Sequence, residues 1–289
     1  MSFELTQYIP WLDNENVRPY ILSRPKNIPE YPGSEVEDFD WFRSLDVVVK
    51  NPFHVDELEF SDLIMDVESR AFHEAGMAMP RWVFFDCAIM PGFVAGFAHR
   101  TSTLPEAVKK AIGRPITGEW TPISLFITIP TQRPGEWVAH NLMSVNSILE
   151  KKDQFYGLGF LSKAFGLWYG NIEKLCGMTQ WGSPALKLHC HYGDIKMLTA
   201  YTPVHSHAKT ITYQCNVDPY VWESFFTKKY HDHFEERFEP SGVIVDHQNL
   251  ESLLSMQKLL EDNDRGYFLS PEFIRKESLQ QPIPVFVKK

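Results

Sequence analysis

At 289 residues, with 44% hydrophobic and 14% aromatic side chains, the chain can bury a sizeable core as one large domain or two small ones. Its formal charge of −9 argues against nucleic acid and anionic membranes as partners, because both repel an acidic surface. No apolar run approaches a membrane span, and residues 1–6 lack a charged segment leading into an apolar one, so neither a membrane anchor nor a signal peptide is expected.

Residues 1–40 carry Pro10, Pro19, Pro25, Pro29 and Pro32, which break any long helix, and read as an arm packed over the body. In residues 55–77, Leu58, Leu63, Ile64, Val67 and Phe72 recur at helical spacing with acids between them. The aromatic run 82–90 predicts a strand, Pro91-Gly92 a turn, and 93–98 its hairpin partner. A short amphipathic helix follows at 104–112. Residues 123–130 form a strongly strand-like run, 131–135 a turn, and 136–145 the return strand.

Beyond the glycines at 157 and 159 a helix runs to about Tyr169, and residues 174–181 read as a strand. Ser183-Pro184 has the chemistry of a helix start, with 185–192 continuing it and Gly193 ending it. Residues 196–201 and 210–215 are two further strands, joined by 202–207. Helical patterns occupy 219–238 and 248–261, and 284–287 is the last strand-like piece. Hairpins lead and a strand–helix–strand unit follows. The expected fold is therefore α/β or α+β, with a mixed, mostly antiparallel central sheet and flanking helices. The expected organisation is an arm and helix over 1–80, a core over 81–215 and a helical extension over 216–289.

Cys87, Cys176, Cys190 and Cys215 form no C-x-x-C pair and lie in apolar or strand-like runs. Free thiols in a reducing, cytoplasmic setting are expected.

The stretch Gln154-Phe155-Tyr156-Gly157-Leu158-Gly159, followed by the apolar run from Phe160 to Leu167, carries the most information. Two glycines one residue apart let backbone turn tightly and approach a ligand. The first turn of a helix offers amide N–H groups without internal partners and a partial positive charge. Together they make an anion cradle suited to phosphate or pyrophosphate. The other reading is an ordinary glycine-rich turn into a core helix.

Two motifs here resemble the Gcn5-related N-acetyltransferase superfamily. Gln154-x-x-Gly157-x-Gly159 is similar to its acyl-CoA pyrophosphate loop, and Ala185-x-x-Leu188-His189-x-x-x-Gly193 to its later helix motif. The likeness covers roughly residues 82–215. It departs from the family at residues 147–153, which separate strand from loop. It departs again at Gly182, where the family often has asparagine, and at His189, where it often has tyrosine.

The resemblance implies an acyltransferase that uses acetyl-CoA or another acyl-CoA as co-substrate. The acceptor would be an amine or thiol, on a small molecule or a carrier, that attacks the thioester directly. Gln154, Tyr156, Gly157, Leu158, Gly159, Phe160 and Lys163 would line the CoA site, although a solvated surface lysine is the simpler reading of Lys163. Lys151 and Lys152 would add charge nearby. The strand before the loop would lie beside the thioester, which makes His140 the candidate general base, since imidazole titrates near neutral pH. His189 would be the acid that protonates the departing thiolate, with Tyr192, three residues on, as the alternative. Each of these histidines has a structural reading too, in the sheet or at a helix end.

Two competing functions stay open. Three H-x-H pairs, His189/His191, His205/His207 and His231/His233, suggest a metal-dependent enzyme, since residues two apart on a strand face one side. A non-catalytic acyl-CoA-binding protein of the same fold is the other. The terminal segments suit a lid over the acceptor site or a homodimer contact equally well.

Overall fold

The computed structural model describes residues 5–23, 41–73, 76, 78–89, 92–203, 207–229, 234–276 and 281–289. The chain separates into two compact units, Met1–Ile172 and Glu173–Lys289.

In the first unit the elements are β1 (Val17–Leu22), β2 (Val48–Lys50), α1 (Leu58–Phe72), α2 (Arg81–Ile89), β3 (Phe93–Arg100), α3 (Glu106–Ile112), β4 (Trp120–Pro122), β5 (Ser124–Pro130), β6 (Glu136–Ser144) and α4 (Leu158–Tyr169). Its sheet runs β2-β1-β3-β5-β6, with β4 also on β3. Every one of these pairings is antiparallel except β1 with β2. The expected hairpin of residues 123–130 and 136–145 is present as β5 and β6.

β3 is central and buried on both faces. Phe93 and Phe97 meet Tyr169 and Phe165 of α4, with ring centroids 5.5 and 6.0 Å apart. On the other face Tyr20, paired with Gly96, meets Phe60 of α1 at 4.9 Å. Its hydroxyl donates to the Ser124 carbonyl at 2.7 Å. Fully burying each such aromatic side chain stabilises by about 1.5–3 kcal/mol.

Residues 81–89 correct an expectation: they are helix α2, not a strand. Aromatic and β-branched composition argued for a strand, but Phe84, Cys87 and Ala88 are the buried residues, at the i, i+3, i+4 spacing of one helical face. Trp82 points outward at 67% exposure. The Pro80 carbonyl accepts from the amides of Val83 and Phe84, closing the first turn. β3 therefore pairs with β1, β4 and β5 rather than with residues 82–90. Its partner β1 lies in the proline-rich stretch read as an arm, and Pro19 is accommodated within it.

The second unit contains β7 (Lys174–Gln180), α5 (Pro184–His189), β8 (Gly193–Thr199), β9 (Thr210–Val217), α6 (Glu223–Thr227), α7 (Phe234–Arg237), β10 (Phe238–Val245), α8 (Leu250–Asp262), β11 (Tyr267–Leu269), α9 (Pro271–Lys276) and β12 (Ile283–Lys288). Its strands order as β10-β12-β11-β8-β9-β7, all antiparallel.

Ser183 caps α5 as expected, accepting from the Ala185 amide. The helix stops at His189, short of the expected end at Tyr192. Gly193 does not cap it but opens β8, with φ of 151° and no room for a Cβ, which would lie 1.8 Å from the Asn216 carbonyl oxygen. The strand expected at 284–287 is present as β12, and the rest of residues 216–289, expected to be helical, also contains β10 and β11. The helical pattern at 219–238 is broken into short pieces, of which residues 230–233 lie outside the described residues.

The fold class expected from the sequence, mixed and mostly antiparallel with flanking helices, is the one observed. All four cysteines are free thiols. Among the described residues no helix is long and apolar enough to cross a membrane.

Candidate functional site

The glycine loop joins β6 to α4 within the first unit, and the chain holds it from both sides. The Asn146 side chain grips Phe155 twice: its amide donates to the Phe155 carbonyl and its oxygen accepts from the Phe155 N–H, each at 2.8 Å. Gln154 turns back to donate to the carbonyls of Asn146 and Leu149, at 2.9 and 3.3 Å. The Trp11 indole donates to the Tyr156 carbonyl at 3.0 Å, and its ring stands edge-on to Phe155. Residues 147–153, the departure from the family spacing, include parts of two 3-10 turns, and Leu149 between them supplies one of the two carbonyls to which Gln154 is tied.

Gly157 then adopts a left-handed conformation, φ 76° and ψ 3°, as the N-cap of α4. A side chain there would cost about 1–2 kcal/mol of strain. The Leu158 amide closes on the Phe155 carbonyl at 3.2 Å, and the Leu161 amide on that of Gly157 at 2.8 Å. No side chain caps the helix and no acid occupies its first turn. Among the described residues, a Cβ at Gly159 would meet nothing within 4 Å. Among them the positive end of this twelve-residue helix is therefore open, without the Ser, Asp or Glu that ordinarily occupies it. Ser162 anchors the first turn, donating to the Leu158 carbonyl at 2.7 Å, with Ser124 Oγ of β5 at hydrogen-bond distance, 2.6 Å.

The proposed cradle residues divide by burial. Gln154 and Tyr156 are exposed and Gly157 and Gly159 half-buried, while Leu158, Phe160 and Lys163 are buried. Lys163 is only 1% exposed, which corrects the expectation of a solvated lysine. From Phe160 to Trp168 every residue of α4 is buried, so the helix has no wet face for it. Lys151 and Lys152 are exposed, and Lys152 pairs with Glu150 at 3.0 Å.

His140 sits on β6 at a β-bulge. Asn141 pairs with Ile127 and Ala139 with Thr128, so His140 is the extra residue that the ladder skips. It is exposed, yet enough of its ring is withdrawn from water for desolvation to hold it below the ordinary imidazole range. Beside it Asn141 donates to Glu68 Oε1 at 3.0 Å, and both oxygens of Glu68 accept from the Met79 amide, at 3.0 and 3.1 Å.

Glu68 is fully buried, and desolvation raises its pKa against the lowering effect of these hydrogen bonds. Sequence reading missed it. The available signal was an acid in the core stripe Ile64, Val67, Glu68 of α1. His99 also adjoins the loop, its ring 6.3 Å from Phe155.

In the second unit His189 ends α5, 7% exposed, with its ring 4.9 Å from that of Tyr213. Tyr192 lies past the helix end, so the two do not share a helical face as expected. Tyr192 is fully buried, edge-on to Trp222 at 5.9 Å, and burial raises its phenol pKa well above the usual value. His191 faces Phe225 instead of the surroundings of His189. Among the described residues no group of three His, Cys, Asp or Glu side chains is placed to hold a metal ion. His205, His231 and His233 lie outside them.

No protein-family model matches the sequence, and no curated protein matches it. Solved structures do match in fold. One is the ribosomal-protein-S18-alanine N-acetyltransferase from Escherichia coli, at 12% identity and TM-score 0.36, covering 55% of this chain and 88% of that one. Another is aminoglycoside 6'-acetyltransferase type Ii, at 10% identity and TM-score 0.38, covering 58% and 96%. A third is Tetrahymena GCN5, at 11% identity and TM-score 0.34, covering 58% and 92%. The first two are an N-acetyltransferase and an acetyltransferase by name.

Proposed function

We propose that the protein is an acyltransferase that takes its acyl group from a CoA thioester and delivers it to an amine or thiol by direct attack. The observation that carries this reading is the uncapped N-terminus of α4, open above Gly159. The backbone amides of Gly157, Gly159 and Phe160 would meet a diphosphate at this helix end, which supplies partial positive charge. The local chemistry fits the group: glycine keeps the approach clear, and no carboxylate competes for the amides.

The chain's remaining tasks are to move protons and to hold both reactants in attack geometry. His140, neutral near physiological pH, accepts a proton from an ammonium acceptor. Its place at the bulge leaves it outside the β5 pairing register. Glu68 and Asn141 brace the strand next to it.

The test is acetyl-CoA binding by calorimetry on the full chain and on Gly159→Trp, which fills the open space. We expect at least tenfold weaker binding in the variant with an unchanged melting temperature. Equal affinity in the two proteins overturns the reading.

A further inference from the structure

A second concave site lies wholly within the second unit, away from any residue used above. One face of the unit's sheet is buried where Ile195, Met197, Tyr213 and Cys215 lie and where Tyr213 meets α5. Side chains alternate along a strand, so the residues between them point the other way. On that other face a pocket of about 290 Å³ is lined by Lys174 of β7, Lys196 of β8, Asn216 of β9 and Lys288 of β12, with Arg265 and Phe268 beside them.

The charge balance there is one-sided. Arg265 has a weak partner in Glu239, at 3.5 Å. Asp194, the acid paired with Asn216 across β8 and β9, is engaged by both terminal nitrogens of Arg237. Lys174, Lys196 and Lys288 form no ion pair among the described residues. An ordinary solvated sheet face mixes signs, and opposite charges across strands stabilise while like charges do not. Here a chain of net charge −9 gathers four cations in one hollow and leaves three of them unmatched. The Lys288 ammonium lies 5.8 Å from the Phe268 ring, which is itself buried with Phe234 and Phe238.

We propose that this pocket binds a small molecule through a phosphate group bearing at least two negative charges. The size suits a small ligand, being at the lower end for binding pockets. The Asn216 amide on the central strand supplies a neutral donor between Lys174 and Lys196. The same chemistry is offered by an inorganic diphosphate and by a nucleoside polyphosphate.

Calorimetry on the full chain with inorganic pyrophosphate, ATP and citrate tests this. Wild type should bind pyrophosphate or ATP with an affinity that falls as salt rises. Citrate should bind at least tenfold more weakly. Lys174→Gln/Lys196→Gln should lose at least tenfold for the phosphates at an unchanged melting temperature. Lys258→Gln, on exposed α8, should bind as wild type does. Gly159→Trp should also keep this binding, which separates the pocket from the glycine loop. Tighter binding of ATP than of pyrophosphate identifies the nucleoside form, and equal binding the phosphate group alone. Absence of phosphate binding in wild type, equal binding in the double lysine variant, or citrate bound as tightly overturns the proposal.

Discussion

His140 and Glu68 owe their chemistry to a single turn of backbone each. Without the bulge in β6, His140 would fall into register with a residue of β5. Placed as it is, His140→Ala should lower kcat by about 10²–10⁴, with an unchanged melting temperature, in an assay of free thiol release between pH 6 and 9. An unchanged kcat would move the base elsewhere.

Glu68 makes a separate prediction about stability. Burial raises its folded pKa above the unfolded value, so between those two values the folded state holds more protons than the unfolded one. Its ionisation therefore costs stability as pH rises through that window. Relative to Glu68→Gln, wild type should lose melting temperature as pH rises from 4.5 toward neutrality. Parallel curves for the two proteins would refute the assignment.

The glycine loop is an element whose shape depends on a residue outside it. Asn146 satisfies the Phe155 N–H and adds a second donor to the Phe155 carbonyl, which the Leu158 amide also reaches. Asn146→Ala should cost about 1–3 kcal/mol, and its first sign should be faster amide exchange at residues 154–160 with weaker acetyl-CoA binding. A uniform drop in protection across the first unit would show that Asn146 serves the whole core instead.

At this scale the loop itself was legible, because Gly157 and Gly159 mark a turn by chemistry that no other residue has. The strand β5, the return strand β6 and the helix α4 were legible too, from long and consistent patterns. Helix α2 was not. Its aromatic residues satisfy strand propensity, and only the buried spacing of Phe84, Cys87 and Ala88 distinguishes the helix. Burial of that face is a tertiary fact.

Across the molecule, acid is the expected weakness. His191 is buried, and desolvation, followed by the charges of Arg275 and Lys228, lowers its pKa to about 3. Below its unfolded value near 6.5 the unfolded state binds a proton that the folded state refuses, so stability falls as pH drops from 6.5 toward 3. Urea unfolding should lose about 2 kcal/mol from this group between pH 7 and pH 5, and His191→Gln should remove that loss. Identical pH slopes in both proteins would place the acid sensitivity elsewhere.

Local rules were enough for much of this chain. Glycine stereochemistry, a serine cap at Ser183 and runs of apolar residues each act over a few neighbours, so they can be read in order along the sequence. What tertiary structure alone decided depends on partners far away in the chain. Asn146 matters because Phe155 lies across the turn, and Glu68 because Asn141 sits 73 residues on. The basic hollow exists because β12, β11, β8, β9 and β7 are laid side by side. Hydrogen bonding and burial act through space, and a sequence records neighbours only along the chain.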